Sequence, residues 1–181
     1  MSEIGAPERK FIRPEMGLTV TEGHVVEGYA SLFGVKDQGG DVVRTGAYAA
    51  SLARLKSRNE KVKMLWQHDP LQPIGTWDEI REDSHGLWVK GRILTAVDKG
   101  REAAALLAAG AIDGLSIGYR TVKSERDGKG LRLLTELELW EVSLVTFPML
   151  REARVAAKAD DSTWRELAEL IHAARRELAE R

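Results

Sequence analysis

The chain has no cysteine among its 181 residues, so any covalent chemistry falls to serine, threonine, histidine and carboxylates. One serine stands out by its neighbours: Gly114-Leu115-Ser116-Ile117-Gly118 reads G-x-S-x-G, the pattern of the α/β-hydrolase nucleophile elbow. That elbow needs a strand before the serine, a helix after it, and an acid and then a histidine later in the chain. Here an alanine-rich helical stretch precedes Ser116, a strand-like stretch follows it, and the one histidine downstream is His172, in a terminal helical stretch. The elbow reading fails on context, but Ser116 remains a candidate nucleophile.

A serine nucleophile needs a base, and the base needs a group that orients it. Residues 61–68, KVKMLWQH, alternate as a strand does and put His68 on the parity of Val62, Met64 and Trp66, hence toward the core or a cleft at its margin. On the strand predicted for 131–146, Glu141 shares the parity of Leu133, Leu137, Leu139 and Val145, while Glu136 and Glu138 fall on the other. Leaving a carboxylate unpaired on an apolar face costs on the order of several kcal/mol, so Glu141 requires a partner. A histidine that becomes charged during a reaction is one such partner; Arg92 or Arg120 is the alternative. His24 and His85 adjoin glycines in turn-like stretches and read as solvated. No H-E-x-x-H or paired-histidine spacing is present, and neither a metal nor a cofactor is expected.

The elements that must position these residues follow from periodicity and turn chemistry. Residues 1–22, broken by Pro7, Pro14 and Gly17, read as a flexible arm. Strands are predicted at 24–33, 61–68, 74–82, 86–94, 114–124 and 131–146, with turns at 36–41, 69–73 and 127–130. Tyr48, Leu52 and Leu55 recur at helical spacing and predict a helix over 46–57. A second helix is predicted over 95–109, with Thr95 as its cap and Gly110 as its stop, and a third, amphipathic, over 161–180. About six or seven strands with few helices predict an α+β, mainly β fold, a closed or partly open barrel decorated by helices rather than a βαβ repeat.

Basic and acidic residues nearly cancel, 27 against 28, so no global field draws the protein to nucleic acid or anionic lipid. No apolar run approaches the ~18 residues of a membrane helix, and the amino terminus lacks the apolar core of a signal peptide. A soluble, intracellular protein of one main domain is the expectation.

Three pieces in one order, WQHD ending at Asp69, GLSIGYR after the alanine-rich helix, and WEVSLVTFP ending at Pro148, resemble the prohead (procapsid maturation) proteases of tailed bacteriophages. The resemblance covers roughly residues 23–155. It implies a serine endopeptidase with a herpesvirus-protease-like barrel, in which Ser116 matches the family's serine nucleophile and His68 its histidine base; the third member is a second histidine in the herpesvirus enzymes and acidic in the phage ones, and Glu141, from its place among the leucines, is assigned to it as the orienting acid. It also implies action inside the procapsid in the host bacterial cytoplasm, with the scaffold segment of the major capsid protein as substrate and cleavage of the protease itself besides. A homodimer or higher oligomer is expected, with no nucleic acid or membrane partner. On this reading 1–22 is an arm, 23–155 the protease domain and 156–181 a removable C-terminal helix. Two rival functions remain: an inactive protein that binds capsid or scaffold, and an esterase using the same serine. The chain departs from the family pattern after Phe147-Pro148, where Met149-Leu150-Arg151 replaces a small residue and asparagine.

Overall fold

The structure, a computed structural model, describes residues 19–21 and 24–153. In chain order the elements are β1 (Thr19–Thr21), β2 (Val25–Leu32), β3 (Asp41–Val43), α1 (Ala49–Ser57), β4 (Lys63–Trp66), β5 (Asp69–Glu82), β6 (Gly86–Ile93), α2 (Asp98–Ala108), β7 (Gly114–Arg126) and β8 (Arg132–Val145). They form one eight-stranded sheet with the neighbour order β1-β2-β6-β5-β4-β8, curled so that β2 and β7 approach each other without pairing. The fold is mainly β, a partly open barrel with two helices.

β8 is the axis of this arrangement. Along one edge it pairs antiparallel with β7 from Gly114↔Val145 to Arg126↔Arg132. Along the other edge β3 and β4 lie end to end, both parallel to it, at Leu133 and Leu134 and at Glu141 to Leu144 respectively. Buried backbone N–H groups must be satisfied, and in the gap between β3 and β4 the α1 region does this. Leu137 N–H donates to the Ala47 carbonyl at 2.9 Å and Leu139 N–H to Ser51 Oγ at 3.0 Å. Ser51, a polar residue on the buried side of α1, is thereby explained.

The core runs through the curl and holds Val26, Tyr48, Met64, Ile74, Leu87, Val89, Leu115, Leu134, Leu137, Leu139 and Leu144, all nearly inaccessible to solvent. α2 packs on β5 and β6 through Ala103, Ala104 and Leu107. Gly110, just past its end, has φ +69°, the left-handed stop expected of a helix-ending glycine. The expected cap at Thr95 is not used; α2 begins after an extended Val97 that makes no side-chain cap.

Several boundaries differ from the sequence reading for physical reasons. The strand predicted over 61–68 is β4 alone, and the turn predicted over 69–73 is the start of β5, with Pro70 and Pro73 both accepted in its first residues. The two-residue turn is instead Gln67-His68, closing between Trp66 and Asp69. The stretch read as an irregular arm contains β1, which pairs with Val25–Glu27 of β2, and β3 starts at Asp41, the last residue of the predicted turn, and continues through Val42 and Val43, where no element was predicted. The helix predicted over 161–180 lies outside the described residues.

Candidate active site

Ser116, His68 and Glu141 come from β7, the β4–β5 turn and β8, three consecutive neighbours across the sheet. Ser116 stands directly opposite Ser143, and Gly118 opposite Glu141, so the four side-chain positions share one face of the β7–β8 pair. Ser116 is 4 % exposed and Ser143 fully buried. The helix-serine-strand order holds here, since Ser116 lies within β7 and α2 precedes it. The two glycines of the G-x-S-x-G match are packing positions. A Cβ at Gly114 would lie 2.6 Å from the Val145 carbonyl oxygen, and one at Gly118 would lie 2.1 Å from Glu141 Oε1.

The face assigned to Glu141 in the sequence is corrected by a bulge. Gly118 pairs with Glu141 but Tyr119 pairs with Leu139, leaving Trp140 as the extra residue. Leu137 and Leu139 before the bulge and Val142 and Leu144 after it all point to the core, so Glu141 lies on the opposite face from the leucines whose parity it nominally shares. It is nevertheless 8 % exposed and both its oxygens are engaged. His68 Nδ1 lies 2.5 Å from Oε1, and the Ser143 hydroxyl donates to Oε2 at 2.5 Å. Neither arginine alternative is used: Arg92 is bidentate to Asp78, and Arg120 pairs with Glu138 at 2.6 Å. Glu136 and Glu138 are taken up in ion pairs with Lys123 and with Arg54 and Arg120.

His68 is also placed differently from its predicted strand parity. Gln67 and His68 have φ of +52° and +62°, the pair of positive values that a two-residue type I′ turn requires. Neither is the glycine, asparagine or aspartate that accepts this backbone at little cost, and two such residues store on the order of 1 kcal/mol or more each. Surrounding bonds hold them there. Gln67 N–H donates to the Leu144 carbonyl at 2.9 Å, its side-chain amide donates to Thr146 Oγ1 at 2.8 Å and accepts from Thr146 N–H at 3.3 Å, and His68 N–H donates to Ser143 Oγ at 3.2 Å. Trp77 Nε1–H, bridging the Lys63 and Val142 carbonyls, fixes β4 to β8 beneath the turn. The imidazole leans off the sheet end with its side chain 41 % exposed, not into the core.

A carboxylate only accepts, so Nδ1 is the donor to Glu141, and in the neutral imidazole Nε2 is then the nitrogen left to accept a proton. No hydrogen bond joins His68 to Ser116 in this arrangement, a spacing common in proteolytic sites before a substrate seats. Two participants escaped the sequence reading, Ser143 and Gln67. Ser143 follows Glu141 by two residues and so shares its face, a signal that was available; the Gln67–Thr146 link joins distant segments and left none. On the other side of Ser116 a cavity of about 200 Å³ opens between β2 and β7.

The model of the caudovirus prohead serine protease family matches residues 13–166 of this chain. The chain is 31 % identical to the prohead protease of Enterobacteria phage HK97 over 138 residues, 74 % of this chain and 59 % of that protein. It is 31 % identical over 104 residues to the capsid polyprotein of Pseudomonas phage PAJU2, 53 % of this chain and 15 % of that one. The chain thus spans less than two thirds of either relative. Among solved structures, the bacteriophage T4 capsid assembly protease superposes with a TM-score of 0.51 at 15 % identity, covering 67 % of this chain and 82 % of that one; this likeness concerns the fold. The family match covers the strands that bring His68, Ser116 and Glu141 together, and the chain belongs to the caudovirus prohead serine protease family.

Proposed function

We propose that this chain is a serine endopeptidase that matures a phage procapsid, with Ser116 as nucleophile, His68 as general base and Glu141 as the acid that orients it. The observation that carries the assignment is the 2.5 Å His68–Glu141 contact beside a strand bearing Ser116, in a chain of this family. His68 Nε2 takes the Ser116 proton as Oγ attacks a peptide carbonyl, then returns it to the leaving amine. Glu141 holds the tautomer and stabilises the transient imidazolium, and Ser143 keeps Glu141 from rotating away. Met149-Leu150-Arg151 follows β8 where the resembling proteases carry a small residue and asparagine, so no substrate or oxyanion contact is assigned to that loop.

The substrate on this reading is the scaffold segment of the major capsid protein, cut inside the assembling shell, with trimming of the protease before about residue 20 and after about residue 155 as a second reaction at the same site. Co-expression with the neighbouring capsid gene tests it. Capsid cleavage is expected to disappear in Ser116→Ala and His68→Ala while assembly persists, each loss being about 10⁴-fold or more in rate. Unchanged cleavage in Ser116→Ala sinks the assignment, and assembly that needs the protein without any cleavage in the wild type points to the inactive scaffold-binding alternative.

A further inference from the structure

The edge of β8 that faces β3 and β4 changes partner along its length. Past β3, Arg44 N–H donates to the Leu134 carbonyl at 3.0 Å, Leu137 N–H donates to the Ala47 carbonyl at 2.9 Å, and Leu139 N–H donates to Ser51 Oγ at 3.0 Å. From Glu141 onward β4 takes over, with Lys63 opposite Glu141. Trp140, the extra residue of the bulge against β7, falls between the Ser51 bond and the first β4 pair. The bulge thus sits where β8 passes from α1 to β4.

That place decides which way Glu141 points. Leu139 before the bulge and Val142 after it both face the core, and Glu141 faces away from it because Trp140 is the residue left over. Moving the extra position toward Glu141 would turn the carboxylate away from His68 and Ser143, since each one-residue slip exchanges the faces of a strand. Ser51 is 1 % exposed, and its hydroxyl accepts the Leu139 N–H directly before the bulge. Without that acceptor a buried N–H is left unsatisfied, and a shifted bulge that pairs it elsewhere becomes competitive. The first turn of α1, where Ser51 lies, is itself held from outside. Tyr48 at its start makes no side-chain cap; the Glu82 carboxylate at the end of β5 accepts the Gly46 N–H and is hydrogen-bonded by the N–H groups of Tyr48 and Ala49. An anion is favourable at a helix amino terminus.

We propose that Ser51 is a positioning residue for the reaction: through the Leu139 N–H it pins the bulge that presents Glu141 to His68, and Glu82 fixes the turn on which Ser51 stands. This rests on the serine-peptidase reading. The probe is a small alkyl fluorophosphonate, which modifies an activated serine, and its rate of addition to Ser116 is read by peptide mass spectrometry in a double-mutant cycle with Glu141→Ala. Ser51→Ala is expected to slow labelling about 10- to 100-fold where Glu141 is present and by less than about twofold where it is absent. Ser51→Thr, which keeps the acceptor, should recover part of the rate. Glu82→Gln, at a partly exposed position, should slow labelling about threefold with the same dependence on Glu141, and it decides alone if Ser51→Ala does not fold. Equal slowing with and without Glu141 makes Ser51 a support of the fold only and overturns the proposal, as does an unchanged rate in the Glu141 background; both outcomes leave the peptidase reading standing. A wild type that takes no adduct at Ser116 overturns both.

Discussion

At the scale of single residues, the site depends on how Glu141 is satisfied. A buried carboxylate is tolerated where each oxygen has a donor, and His68 and Ser143 supply one each. Gly118 matters equally because it leaves room: a methyl group there would stand 2.1 Å from Oε1 and 2.6 Å from the carboxyl carbon, and the opposing element is a strand that cannot recede. Gly118→Ala is expected to lower turnover roughly 10²- to 10⁴-fold, approaching the loss seen on removing a triad acid, with a melting curve that remains cooperative. Ser143→Ala removes one bond to a charged group and should reduce turnover about 10- to 100-fold, with Ser143→Thr restoring part of it. Glu138→Ala, which breaks only exposed ion pairs with Arg54 and Arg120, should leave turnover within about a factor of two.

At the scale of elements, one turn and one bulge set the geometry. The β4–β5 turn carries His68 on left-handed backbone and is tied to the end of β8 through Gln67, Thr146 and Ser143. Gln67→Ala breaks the paired amide link, and the expected result is about 1 kcal/mol of lost stability together with a larger fractional loss of turnover than of melting temperature. The bulge at Trp140 turns Glu141 out of the core-facing row. These two features also mark the limit of what the sequence could show. Alternation found β2, β5, β6, β7 and β8 to within a few residues, and glycine and alanine placed α2. It named the partner of Glu141 correctly from the wrong face, because strict period-two counting runs through a bulge without registering it. It likewise put His68 on a straight strand, because Gln-His lacks the Asn-Gly signature that announces a tight hairpin. β3 has only Asp41–Val43 and is held by pairing with distant Arg132–Leu134, a long-range contact that no local pattern encodes.

At the scale of the whole molecule, a curled sheet left open between β2 and β7 carries the proposed catalytic groups on β8 and its neighbours, and the open seam leaves a cavity lined by both strands. The core that supports it has one local conflict, Tyr48, which is fully buried. Its hydroxyl has no hydrogen-bond partner among the described residues, and burial pushes its pKa well above the ordinary range. Tyr48→Phe should therefore be neutral or stabilising by up to about 1 kcal/mol in chemical denaturation, where an ordinary buried tyrosine would lose stability. The family match and the likeness to the T4 capsid assembly protease fold agree with a barrel whose strands bring distant residues together. The central claim is that His68, held by Glu141, activates Ser116. Its most direct measurement is the rate at which a phosphonate probe modifies Ser116, followed by mass spectrometry in the wild type and in His68→Ala. The account predicts a Ser116 adduct in the wild type and a rate lower by about 10³-fold or more without His68; equal rates in the two proteins, or an adduct on a different serine, would contradict it.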